Sequence, residues 1–157
     1  MKYDFNRKWL IKKFEEIRTR TLKAIDQLTD EEINWSPDEV NHNISSLLRH
    51  IEGNIKERIL KGILKEEISR DRESEFMKSR MTKPEADVLI KHNFQIVIDL
   101  LNEITEELLE EVQMVRGKER TNLDMLHQCA AHYSEHMGQI FYITKQILKD
   151  RYKSTSV

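Results

Sequence analysis

The 157-residue chain has few residues of the kinds that break or staple a fold: four glycines, two prolines and one cysteine. The single cysteine, Cys129, excludes an internal disulfide framework and fits a reducing compartment. Scarce glycine and proline, with 34% charged and 38% hydrophobic residues, favour long exposed helices over sheets or disorder. No apolar run approaches a membrane span, and the start Met-Lys-Tyr-Asp-Phe-Asn-Arg-Lys-Trp lacks the apolar centre of a signal peptide. There is no glycine-rich phosphate loop. An excess of one charge is missing too, since 26 Lys and Arg face 28 Asp and Glu for a net −2. That balance argues against nucleic acid as the main partner, because counterion release needs clustered positive charge. Lys56-Glu-Arg-Ile-Leu-Lys61 and Lys65-Glu-Glu-Ile-Ser-Arg70 alternate in sign and read as solvated helix faces. A cytoplasmic protein, with neither a membrane nor a nucleic-acid partner, is the expectation.

What the chain does have is helical periodicity. From about Asn6 to Leu28 the residues Leu10, Phe14, Ile17, Leu22, Ile25 and Leu28 form one stripe. Thr29-Asp-Glu-Glu32 has capping-box spacing before Ile33, Trp35 and the breaker Pro37, which predicts a short helical turn. A second helix is predicted from Asn41 or Asn43, carrying Ile44, Leu47, Leu48, Ile51, Ile55 and Ile59 to about Leu64, with Gly62 at its fraying end. Residues 65–81 are nearly all polar, with isolated Phe76, Met77 and Met81, and read as a long, partly ordered connection, either a functional loop or a mobile surface segment.

Thr82-Lys-Pro-Glu85 restarts a helix that continues through Val88, Leu89, Ile96, Val97, Leu100, Leu101, Ile104 and Leu108. Arg116-Gly-Lys-Glu-Arg120 makes the next turn, and Thr121 caps a last helix to about Tyr152, with Leu126, Ala130, Tyr133, Met137, Ile140, Thr144, Ile147 and Leu148 on its stripe. Four such helices pack most economically as a single all-α domain over residues 1–157, a four-helix bundle with a long connection between helices 2 and 3.

Chemistry concentrates in the six histidines. His132 and His136 lie one turn apart on the last helix, about 40° around the axis and about 6 Å along it, so both imidazoles can reach one ion. They flank the buried stripe on the side of Met125, Cys129 and Ile143, the edge from which a bundle builds a metal site. His50 shares the core-facing side of the second helix with Leu47 and Ile51 and is the best-placed third ligand. His42 reads as a cap or loop residue, His92 as boundary or interface, and His127 as surface or boundary.

The segment Asn43-Ile-Ser-Ser-Leu-Leu-Arg-His-Ile-Glu-Gly-Asn54, followed much later by Ala131-His-Tyr-Ser-Glu-His-Met-Gly-Gln-Ile140, resembles the DinB/YfiT-like metal-binding four-helix bundle family. That family typically has Ser-hydrophobic-hydrophobic-x-His in its second helix and His-x3-His-x-Gly-Gln in its last. The likeness covers nearly the whole chain, including Leu28-Thr-Asp-Glu-Glu-Ile-Asn-Trp35. It implies that His50, His132 and His136 form a three-histidine metal site. Three neutral imidazoles hold a divalent ion and leave a position open for water or substrate, the catalytic rather than the structural pattern. Zinc is the expected occupant, with nickel or another divalent metal also compatible.

The resemblance further implies a metal-dependent thiol S-transferase, with a low-molecular-weight thiol and a small electrophile as partners. A noncatalytic metal-binding or stress-associated protein is the alternative, and a metal-dependent hydrolase a third reading. No catalytic residue is assigned beyond the ligands. His132-Tyr-Ser-Glu-His136 also matches the inverted zincin signature, but only a short tail follows, and Glu135 reads as solvent-facing. Cys129 reads as a small buried hydrophobe. Tyr133, Met137, Trp9 and Trp35 read as core or boundary. Exposed apolar helix edges lead to the expectation of a homodimer.

Overall fold

The computed structural model describes residues 1–76 and 80–157. Its elements in order are α1 (Asp4–Asp26), α2 (Ile44–Ile55), the short α3 (Arg72–Phe76), α4 (Lys83–Glu103), the short α5 (Glu106–Glu110), strands β1 (Val112–Val115) and β2 (Lys118–Thr121), and α6 (Asn122–Leu148). The four long helices follow the four apolar stripes and form the all-α bundle.

Three of them start where a side chain satisfies an amide that the first helical turn leaves without a partner. Asn43 Oδ1 accepts from the Ser46 amide at 2.7 Å, and Thr121 Oγ1 accepts from the Asp124 amide at 3.1 Å. Thr82 and Glu85 form a full capping box, with Pro84 in the first turn. Each such cap contributes about 1 kcal/mol.

Both α1 and α2 pack against α4 and α6, and the buried apolar side chains of all four join in one continuous core. At its centre Phe14, Phe94 and Tyr133, from three different helices, meet with ring centroids 6.1–6.4 Å apart. Among the described residues no helix is long and apolar enough to cross a membrane.

Two stretches depart from the periodic reading. The stripe expected to run to Leu108 breaks at Ile104, whose backbone is extended, and Thr105 caps α5 by accepting from the Leu108 amide at 3.2 Å. An antiparallel hairpin then pairs Val112 with Thr121 and Val115 with Lys118. Its loop is Arg116-Gly117, both with positive φ (51° and 75°), the two left-handed residues that a type I′ turn requires. What reads in sequence as a turn between helices is the tip of this hairpin.

Asn122 anchors the hairpin from complete burial. Its Nδ2 donates to the Leu108 carbonyl at 2.8 Å, and its Oδ1 accepts from Gln113 Nε2 at 2.9 Å. Gln113 in turn lies over Gly62, where a Cβ would collide with its amide oxygen. Gly62 ends a π-helical continuation of α2 over Lys56–Lys61, so the hairpin sits on the far end of the second helix.

Within the polar 65–81 connection, the described residues hold more structure than the composition suggests. They form α3, bury Met81 and return Arg70 and Glu75 to α2. Met77 and the side chain of Phe76 lie outside the described residues.

Asn122→Ala should lower the unfolding free energy by about 1–3 kcal/mol in urea, because it strands both the Leu108 carbonyl and the Gln113 amide. Amides of the hairpin should lose hydrogen-exchange protection before those of α1. An unchanged urea midpoint would show that the hairpin does not depend on this anchor.

Candidate metal centre

One buried hydrogen bond sets the register of α6 on α2. The Tyr133 hydroxyl, fully enclosed, donates to Asn54 Oδ1 at 2.8 Å. Tyr133 adjoins His132 in sequence, and Asn54 lies one turn beyond His50, so this bond holds His50 level with the α6 pair. His132 Nε2 lies 2.8 Å from His136 Nε2 and 3.3 Å from His50 Nε2. One ligand atom from each of the three lies within 4.8 Å of the others.

These separations match a shared ion. Metal–nitrogen bonds of about 2.0–2.1 Å put two nitrogens about 2.9 Å apart at a right angle and about 3.3 Å apart at a tetrahedral angle.

The outer nitrogens decide what the inner ones can do. His50 Nδ1 lies 3.2 Å from Glu75 Oε2, and a carboxylate only accepts, so Nδ1 carries the proton and Nε2 presents a lone pair. His136 Nδ1 donates likewise to Gln139 Oε1 at 2.6 Å. His132 Nε2 therefore faces two acceptors with at most one proton to offer. A divalent ion placed between the three rings would accept a lone pair from each, which is how the three together can hold one.

Burial keeps His50 and His132 neutral. It is the largest influence pulling His132 down to about 4, with His136 and then His50 adding to it. Burial also lowers His50, followed by the neighbouring His136, while the bond to Glu75 opposes the shift. Both are therefore unprotonated at neutral pH, the form that binds metals.

Glu75 is itself held. Arg70 clasps it with two hydrogen bonds, Nε to Oε1 at 2.7 Å and Nη2 to Oε2 at 2.8 Å, and both side chains are more than nine-tenths buried. The pair fits against α2 because residue 53 is glycine. A Cβ there would run into the Glu75 carboxylate and come within 3.0 Å of Arg70 Nε.

The other histidines lie elsewhere. His127 contacts Asn6 Nδ2 at 3.1 Å and stacks on Trp9 at 5.6 Å, His92 is exposed on α4, and His42 is half-buried ahead of α2. Glu135 is exposed, as its solvent-facing reading requires. Cys129 is buried, and burial pushes its thiol up to about 11, so it packs as a small hydrophobe. Arg70, Gly53 and Glu75 escaped the sequence reading. Gln139 lies within the quoted family motif, where its i,i+3 spacing from His136 was the available signal.

Gly53→Ala should push Glu75 off His50 without unfolding the bundle. In metal-free protein, nitrogen-15 spectra should show His50 changing from one Nδ1–H tautomer to a mixture of both, and retention of the single tautomer would refute the steric account. Cys129 should resist alkylation at neutral pH in the folded protein and react at the rate of a free thiol in denaturant. Equal rates in both conditions would contradict its burial.

Comparison with solved structures shows the same fold. A conserved protein from Enterococcus faecalis superposes with a TM-score of 0.70 at 15% identity, covering 88% of this chain and 94% of that one. A DinB-like protein from Bacillus cereus gives 0.69 at 23% identity, covering 88% and 90%. The DinB-like YjoA from Bacillus subtilis gives 0.67 at 16% identity, covering 93% and 95%. No curated protein matches the chain. The bundle is thus of the DinB-like type, and from residue 4 to residue 157 the chain belongs to the family described as "Protein of unknown function (DUF1572)".

Proposed function

We propose that the protein binds one divalent ion through His50, His132 and His136, with zinc as the occupant, and uses it for thiol transfer onto a small electrophile. The observation that carries this reading is the convergence of three Nε2 atoms on one point while His50 and His136 are committed to donate through Nδ1. A bound zinc ion would supply Lewis acidity, lowering the pKa of a thiol or water in its open position.

The chain's own residues hold and orient. Glu75 and Gln139 keep the His50 and His136 lone pairs aimed inward, and burial keeps His50 and His132 unprotonated. A cleft of about 440 Å³ reaches His132, enough room for a small molecule beside the ligands. Cys129 cannot serve as the transferring thiol, because its sulfur is buried with a raised pKa. The thiol must therefore come from a separate molecule, which a cytoplasmic location would keep reduced. Its sulfur would form the new bond to the electrophile, the leaving group would depart with its electron pair, and the thiol proton would pass to solvent.

Zinc per chain, measured on reconstituted and dialysed protein, should approach one and fall well below that in each of His50→Ala, His132→Ala and His136→Ala. Failure of the unaltered chain to retain any divalent ion would sink the reading. The zinc-loaded protein, given glutathione or bacillithiol with a model electrophile, should then consume the electrophile in a metal-dependent way. Retained zinc without turnover for any thiol would favour a noncatalytic metal-binding protein instead.

A further inference from the structure

The cleft beside His132 is far more basic than the chain around it. Four cations line it, Arg58, Arg116, Lys118 and Arg120, against one carboxylate, Glu135, although the protein as a whole carries a net −2. Arg120 is already engaged, its guanidinium 2.6 Å from Asp124. Arg58, Arg116 and Lys118 make no side-chain hydrogen bond or ion pair among the described residues.

Arg58 is the informative one. It is half-buried and lines the cleft, so an anion there would meet a guanidinium that water only partly surrounds. It sits on the π-helical stretch Lys56–Lys61, and such irregular turns recur at functional sites because they re-aim side chains. The backbone of that stretch is joined to the hairpin through Gln113, whose Nε2 lies 3.5 Å from the Arg58 carbonyl and whose amide covers Gly62. This seating puts Arg116 and Lys118, at and beside the tight turn, on the same cleft as Arg58. His132 lines the cleft as well, so the basic wall and the histidine cluster share one side chain.

We infer that this cleft is an anion subsite, formed by Arg58 with Arg116 and Lys118, that receives a carboxylate or phosphate group of the small molecule whose reacting end lies at the three histidines. The assignment of that molecule as substrate rests on the function proposed above, whereas the anion site itself does not. Guanidinium and ammonium groups in a concave, partly desolvated wall bind such groups through charge-assisted hydrogen bonds. The volume of about 440 Å³ fits a small metabolite.

Calorimetric titration of the full chain with succinate and, separately, inorganic phosphate tests the inference, at constant ionic strength and in metal-free protein so that no ion competes for the anion. At least one probe should bind saturably at one site per chain, and the tighter of the two identifies the group. Arg58→Gln, and separately the exposed pair Arg116→Gln with Lys118→Gln, should each weaken binding about ten-fold, the equivalent of one charge-assisted hydrogen bond. Unchanged zinc binding and thermal midpoint in these variants would show that the loss is local. No saturable binding of either probe, or equal binding by both variants, overturns the subsite. A chain that binds the anions but retains no zinc keeps the subsite and loses the metal reading, and one that binds zinc but neither anion does the reverse.

Discussion

The buried hydrogen bond between Tyr133 and Asn54 is the constraint on which the centre of this molecule depends. Apolar stripes alone let two helices slide by a turn with little change in buried area, because Leu and Ile side chains interdigitate in more than one register. A phenolic hydroxyl with no access to water has no such freedom, since leaving it unpaired costs about 1–3 kcal/mol. One polar bond inside an apolar interface thus selects the axial position of α6 on α2. Only in that position does a histidine of one helix stand level with two of the other.

The bundle itself was plain in the sequence because it is built from repetition. Leu10, Phe14 and Ile17, or Tyr133, Met137 and Ile140, announce a buried face by spacing alone, and Thr82-Lys-Pro-Glu85 announces a start through local hydrogen bonds. The histidine cluster was readable in the same way, two members by their i,i+4 spacing and the third by the face it shares with Leu47 and Ile51. Segments without a period were not readable. Glu75 looks like one more acid in a polar run, and its role comes from a fold-back that depends on a missing methyl at Gly53 and on Arg70, neither of which leaves a pattern. The hairpin was missed because its strands are only four residues each, and β2 is too polar to show alternation.

Function divides along the same line. Two of the long helices, α2 and α6, supply rigid positions for the three imidazoles and for Gln139, whereas the other charged groups around that cluster come from the irregular parts. The connection after α2 brings Glu75 and Arg70, the π-helical stretch brings Arg58, and the hairpin brings Arg116 and Lys118. This is the usual arrangement of a stiff scaffold with chemistry carried on its interruptions. It separates what the fold needs in order to stand from what a ligand would feel.

The contact between His50 and Glu75 also joins two equilibria. Glu75 lies 25 residues from its partner, so forming the bond requires the intervening chain to close a loop and lose freedom. Whatever free energy the closed connection adds to the Nδ1-protonated form of the imidazole, that form returns to the closed connection by reciprocity. A group that engages the opposite nitrogen of the same ring therefore tightens a surface segment it never touches. The order of the stretch from residue 65 to Glu75 becomes an outward report on the occupancy of a buried side chain.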